Sequence, residues 1–310
     1  MTPIPVILDC DPGHDDAIAL LLALASPEVE LLGVTTVAGN QTLAKTTANA
    51  LRVLELAGRS DIPVAAGSDR PLVRELYVAS YVHGETGMDG PVLPPPQGSP
   101  VAQHAVDFIA ELVVASARPV TLIPTGPLTN VALLLARHPA AAERLERIVL
   151  MGGAIAEGNV TPAAEFNVWA DPEAARRVFE SGLDLTMIGL DVTHKALVTP
   201  EHGARLRASG RVGAVVADLL DFFYEFHRGT YGFPGSPVHD AVAVAHVVWP
   251  GLVETLERRV DVECGSELCR GRTVVDLWRR TGREPNARVG VGIDADAFVS
   301  LLLERLATLS

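Results

Sequence analysis

Cysteine is scarce in this chain: Cys10, Cys264 and Cys269 are the only three in 310 residues. That excludes a disulfide-dense scaffold and a cysteine-built zinc cluster. Positive charge is also in deficit, with 25 Lys and Arg against 38 Asp and Glu, a net charge of −13. Such a balance argues against a general nucleic-acid binder and against anchoring on an anionic membrane. It leaves room for one pocket that takes a small nucleic-acid-derived substrate. The apolar run AIALLLALA is well below the ~20 residues that cross a membrane. No basic segment leads into it, so no secretion signal is read and a cytoplasmic location is expected. Low-complexity linkers, charge blocks and clear repeats are missing as well. One domain spanning 1–310 is the expectation, and 48% apolar with 20% charged residues suits a sizeable core.

What is present is an alternation of strand and helix signals. Residues 4–10 are almost continuously apolar, as in a central parallel strand buried on both faces. Pro12-Gly13 breaks that strand, and Asp15 or Asp16 opens a helix to about Ala25. VELLGVTTVAG at 29–39 reads as a strand, and a helix from about Leu43 to Ala57 follows. Strands are then expected at 62–67, 120–126, 146–153 and 183–193, with helices at 101–117, 128–139 and 171–181. The prediction is an α/β fold with a mainly parallel sheet and helices on both faces, a Rossmann-like core. Ligands of such folds sit at the C-terminal ends of the strands. Residues 68–100 form a Gly- and Pro-rich excursion, and 203–237 combine a helix, VGAVVADLLDFFYEFHRG, with a loop, TYGFPGSP. From 259 onward come short strands at RVDVEC, GRTVVDLW and ARVGVG and a final helix from about Asp296 to Leu306. Cys10 is expected to point into the sheet core, and Trp169, Trp249 and Trp278 to serve structure.

The stretch VILDCDPGHDDAIALLLAL, residues 6–24, carries Asp9, Asp11, Asp15 and Asp16 between two apolar runs. Helix capping explains one or two of them. Carboxylates held together repel one another unless a cation occupies the centre. An oxygen-rich site without a Cys or His pair suits Ca²⁺ or Mg²⁺. The spacing is not that of an EF-hand, and no G-x-G-x-x-G offers a dinucleotide site. Other strands end in polar residues too: Gly39-Asn40, PTGPLTN at 124–130, NVTPAAEFN at 159–167, and His239-Asp240 opening an apolar helix. Side chains from such distant segments meet only at the strand ends.

DCDPGHDD at 9–16 matches, without a gap, the D-x-D-P-G-x-D-D hallmark of the nucleoside hydrolases, the inosine-uridine preferring ribohydrolases. With PTGPLTN, the EFN segment and the His-Asp pair, the chain resembles that family from Val6 to at least Asp240. The resemblance implies a Ca²⁺ ion held by Asp11, Asp16, the Thr125 carbonyl and Asp240. It implies Asp15 as general base and His239 as a catalytic histidine that reaches the leaving base. Asn40, Asn159, Glu165 and Asn167 would bind ribose or orient water, and Asp9 would support the loop. His83, His227 and Tyr231 would meet the base, while Tyr224 serves either the pocket or helix packing. The histidine-containing pocket leans toward pyrimidine-preferring or broad-specificity members. Homodimers or homotetramers are implied, with no nucleic-acid polymer and no membrane as partner.

The implied reaction is hydrolysis of the N-glycosidic bond of a ribonucleoside. An N-ribohydrolase of a modified or nicotinamide-type riboside keeps the same ribose residues and is the nearest alternative. A metal-dependent phosphohydrolase needs a cation for its phosphate, and none lies in the first motif or in PTGPLTN. A non-catalytic ribose-binding protein has no use for a base at Asp15.

Overall fold

The computed structural model describes residues 2–309. Its frame is an eight-stranded sheet built first from β1 (Ile4–Cys10), β2 (Val29–Thr36), β3 (Val64–Ala66), β4 (Val120–Pro124), β5 (Leu145–Met151) and β6 (Leu185–Ile188). The order is β3-β2-β1-β4-β5-β6, continued by strands Ala287–Ile293 and Val253–Arg258. Neighbours run parallel except at the last edge, where Val253–Arg258 is antiparallel to Ala287–Ile293.

β1 shows why its sequence is unbroken in apolar character. Val6, Leu8 and Cys10 join the core under helix α1 (His14–Ala25), whereas Ile7 joins the opposite core. Both faces are covered, so alternation is lost. Asp9 has the parity of Ile7 and turns to that second face. Sheet order reverses at β1: β2 and β3 lie to one side, β4 to β6 to the other. This is a topological switch point, and the crevice there opens at the strands' C-terminal ends. The turns after β1, β2, β4 and β5 all discharge into it.

Two small sheets brace the crevice. Leu197–Val198 pairs with Ser236–Pro237 directly before helix His239–Val248, fixing where that helix begins. Val260–Val262 pairs with Thr273–Val275, and the Thr273 hydroxyl bonds the Ala154 carbonyl (2.6 Å) and Ala154 N–H (2.8 Å) beyond β5.

Several expected boundaries move. The stretch 183–193 is a strand only to Ile188, followed by a helical turn at Leu190–Thr193. Val253–Arg258 is an edge strand whose half-exposed VETLER pattern carries no apolar run to signal it. Helix Arg211–Tyr231 runs two residues further than expected and ends at Gly232, whose φ of 68° is the left-handed conformation of a helix stop. Tyr231 therefore belongs to a helix and not to a loop. Cys10 is buried as expected, whereas Trp278 is 83% exposed and packs no core.

Candidate functional site

The turn between β1 and α1 is folded by one carboxylate. Asp16 Oδ2 accepts the Gly13 N–H (3.0 Å), and its Oδ1 accepts the Asp11 N–H (3.3 Å) and the Thr125 hydroxyl (2.9 Å). Gly13, not Asp15 or Asp16, is the cap residue, and Asp16 closes the turn from inside the helix. Asn40 ties the turn after β2 to this one: its N–H donates to Asp11 Oδ2 (2.6 Å) and its amide to Asp16 Oδ2 (3.0 Å). Asp9 faces away from the crevice, where Thr35 (2.6 Å) and Asn130 (2.8 Å) donate to its Oδ1.

Beyond β5, Glu165 caps the short helix Phe166–Ala170. It accepts the N–H groups of Asn167 (2.7 Å), Gly153 (2.8 Å) and Val168 (3.1 Å). Burial nevertheless pushes its carboxyl up to about 7. Asn167 spends its amide on the carbonyls of Thr125 (2.7 Å) and Met151 (3.2 Å), which leaves its Oδ1 free to accept. Asn159 Oδ1 accepts the Phe166 N–H (2.9 Å), leaving its amide free to donate.

These segments wall one cleft. Asp15, Asn40, Thr125, Asn159, Glu165, Asn167 and Asp240 line its polar end, and His83, His227, Tyr231 and His239 its aromatic end. Asp11 and Asp16 are fully buried and not part of its wall. Tyr224 also stays outside, with the Arg228 guanidinium over its ring at 5.5 Å. His194, Tyr81, Met151, Phe223 and Phe226 also line the wall without having been singled out in the sequence. Phe223 and Phe226 lie in a helix that was legible, but nothing marked which of its faces meets the cleft.

The floor is electrostatically strained. Carboxylate oxygens of Asp15, Asp16 and Asp240 come within 4.8 Å of one another. Burial, then the Asp16 charge, raises Asp15 to about 8. Burial, then Asp15 and Asp16, holds Asp240 well above the carboxylate range, and Asp11 is raised by burial and Asp16. Asp11 Oδ1 is buried without a hydrogen-bond partner. An orphaned carboxylate oxygen beside three converging carboxylates, with only oxygen donors present, fits a hard divalent cation.

At the aromatic end, His227 Nδ1 lies 2.9 Å from the Phe223 carbonyl and must donate to it, so a neutral His227 has a bare Nε2. His239 Nδ1 is 2.7 Å from the Thr193 hydroxyl. Burial lowers His227 to about 4 and His239 well below the ordinary histidine value.

The model of the inosine-uridine preferring nucleoside hydrolases matches residues 6–300. The chain belongs to that family. Hydrolysis of ribonucleosides is its activity, and metal dependence is general among its relatives. The phosphohydrolase alternative finds no support, since no Arg or Lys side chain lines the cleft among the described residues. This nucleoside hydrolase is 56% identical over 305 residues to the pyrimidine-specific ribonucleoside hydrolase RihA of Shewanella sp. (strain ANA-3), covering 98% of the chain and 96% of the relative. It is 53% identical to the protein of the same name from Escherichia coli O7:K1, with 98% of each covered. Among solved structures, the purine-preferring ribonucleoside hydrolase from Gardnerella vaginalis superposes with a TM-score of 0.93 at 35% identity, with 98% of each chain covered. No helix of the described residues is long and apolar enough to cross a membrane.

Proposed function

We propose that this nucleoside hydrolase acts on pyrimidine ribonucleosides, with Ca²⁺ held by Asp11, Asp16, Asp240 and the Thr125 carbonyl, and with Asp15 as the general base. The observation that carries the reading is the convergence of Asp15 and Asp240, which line the cleft, with Asp16 buried against them. When bound, a calcium ion would orient water and ribose hydroxyls and make the water more acidic. Positive charge beside Asp15 favours its carboxylate form, which then takes a proton from water. Asn40, Asn159, Glu165 and Asn167 hold the ribose through groups their own backbone contacts leave unused. As positive charge grows on the sugar ring, the surrounding carboxylates stabilise it more than they stabilise the ground state. Loss of a ribose hydroxyl would strand these buried partners, so deoxyribonucleosides are poor substrates.

The leaving base departs toward His239, His83, His227 and Tyr231. His227 in its neutral form only accepts toward the cleft, and His239, whose Nδ1 engages the Thr193 hydroxyl, is the histidine that reaches the leaving base. Pyrimidine preference is supported by the names of the relatives at 53–56% identity. The purine-preferring structure is more distant, at 35%. The whole chain acts as one domain, as a cytoplasmic homodimer or homotetramer.

The test is hydrolysis of uridine, cytidine, inosine, adenosine, guanosine and 2′-deoxyuridine, followed by free base and reducing sugar, before and after chelation and Ca²⁺ addition. Uridine and cytidine should lead, the deoxy compound should fail, and chelation should abolish release until calcium returns. Faster release from inosine than from uridine would sink the pyrimidine assignment. Activity that persists through chelation would sink the metal.

A further inference from the structure

Asn159 reaches the cleft on a loop that has neither strand nor helix between Gly152 and Asn159. Its course is set by contacts. Downstream of Glu157 the chain closes on itself. The Gly158 N–H donates to the Pro162 carbonyl (3.3 Å) and the Asn159 N–H to the Ala164 carbonyl (3.1 Å). A Cβ at Gly158 would lie 2.1 Å from the Thr161 carbonyl oxygen, so residues 158–164 form a turn closed tightly on its own backbone.

Upstream, one carboxylate grips the approach to that turn. Asp191 Oδ2 accepts the Ile155 N–H at 2.6 Å, and Oδ1 accepts the Ala156 N–H at 3.1 Å. Hydrogen bonds to a charged acceptor are the stronger kind. Asp191 stands on the helical turn Leu190–Thr193, which is itself held at both ends. The Leu190 N–H donates to the Gly153 carbonyl (3.0 Å), and the Thr193 hydroxyl meets His239 Nδ1 (2.7 Å). Other contacts on this part of the loop are longer. The Tyr231 hydroxyl is 3.4 Å from the Asn159 carbonyl, and His194 Nδ1 is 3.4 Å from Glu157 Oε1. Asp191 itself lies outside the cleft wall, whereas Asn159 is part of it. With Asn159 Oδ1 engaged by the Phe166 N–H, the Asn159 amide is left to donate into the cleft.

We infer that Asp191 is a positioning residue for ribose recognition: it clamps residues 155–156 so that the turn behind them delivers the Asn159 amide to the sugar. The inference rests on the cleft being the ribose site of a ribonucleoside hydrolase.

A double-mutant cycle on uridine hydrolysis by the calcium-loaded protein tests it, because residues that act through one another give non-additive losses. Asp191→Ala removes both acceptors, and kcat/KM should fall about ten-fold, the effect of one hydrogen bond misplaced. Asn159→Ala removes the group being positioned. In that background Asp191→Ala should lower kcat/KM by less than about two-fold more, since nothing remains for it to aim. An unchanged kcat/KM in Asp191→Ala, or a full further loss in the double variant, would overturn the inference. Hydrogen exchange gives a readout that needs no activity. The amides of Ile155 and Ala156 should exchange at least about ten-fold faster in Asp191→Ala, with those of Val149 and Leu150 in β5 unchanged. Equal exchange at 155 and 156 in both proteins would overturn the clamp. If the wild type cleaves no ribonucleoside, the activity reading fails, and exchange alone decides whether Asp191 holds the loop.

Discussion

Asp9 and Asp15 are both buried acids of one eight-residue motif, yet their surroundings give them different work. Asp15 lines the cleft, where its charge is costly without a neighbouring cation. Asp15→Asn keeps the shape and removes the proton acceptor. Hydrolysis of uridine should fall by roughly 10²–10⁴ in kcat, the usual worth of a general base, with KM changed little. Steady-state kinetics on the calcium-loaded variant checks this, and a kcat within a few-fold of wild type would remove Asp15 from the chemistry. Asp9 instead braces Thr35 and Asn130 under the sheet. Asp9→Ala strands those two donors, and unpaired buried groups cost about 1–3 kcal/mol each. The variant should lose several degrees in Tm at saturating calcium while the calcium Kd stays near wild type. A large loss of calcium affinity with no loss in Tm would place Asp9 among the ion's supports.

At the scale of elements, burial decides what could be read from the chain and what could not. Strands β1 to β6 announced themselves because burial on both faces leaves an apolar run with turn residues behind it. The polar groups at their ends were legible for the same reason, as at Asn40 and Thr125. The His14–His83 contact was not, since it joins positions 69 apart and rests on a turn organised by Asp89. Phe226 was hidden likewise, because helical periodicity marks a core face without telling core from cleft, and His194 because it follows a stretch that reads as a strand. Turns also limit substitution. A Cβ at Gly39 would overlap Asp11 Oδ2 and press on Pro127, so the turn after β2 passes Asp11 only without a side chain. Gly39→Ala should displace Asp11, raising the calcium Kd at least ten-fold by isothermal titration. An unchanged Kd would show that Asp11 has room to move or does not hold the ion.

Across the whole molecule, helix His239–Val248 links the cleft to the opposite pole of the sheet, and its far end sets an acid limit on stability. Asp240 lies in its first turn and His246 in its last. Burial, then the charges of Arg147 and Arg288, lowers His246 from 6.5 to about 4. Its Nδ1 is buried and unpartnered, so the fold offers nothing to stabilise an imidazolium. Between pH 6.5 and 4 the unfolded chain therefore binds a proton at this histidine that the native state refuses. Stability rises with pH wherever the unfolded state binds more protons, so this penalty is absent above about pH 6.5 and grows as the pH falls toward 4. By pH 5 it amounts to about 1–2 kcal/mol. Other buried groups titrate in the same range, and comparison with His246→Asn subtracts them. Urea unfolding of both proteins at pH 7.5 and pH 5 should show wild type losing more stability than the variant on acidification, by that amount. Equal losses would mean that His246 takes up its proton in the folded state, with Arg147 and Arg288 yielding to it. Because the helix carries Asp240 at its other end, uridine turnover at pH 7.5 should be the same in both proteins if the pole and the cleft are energetically separate.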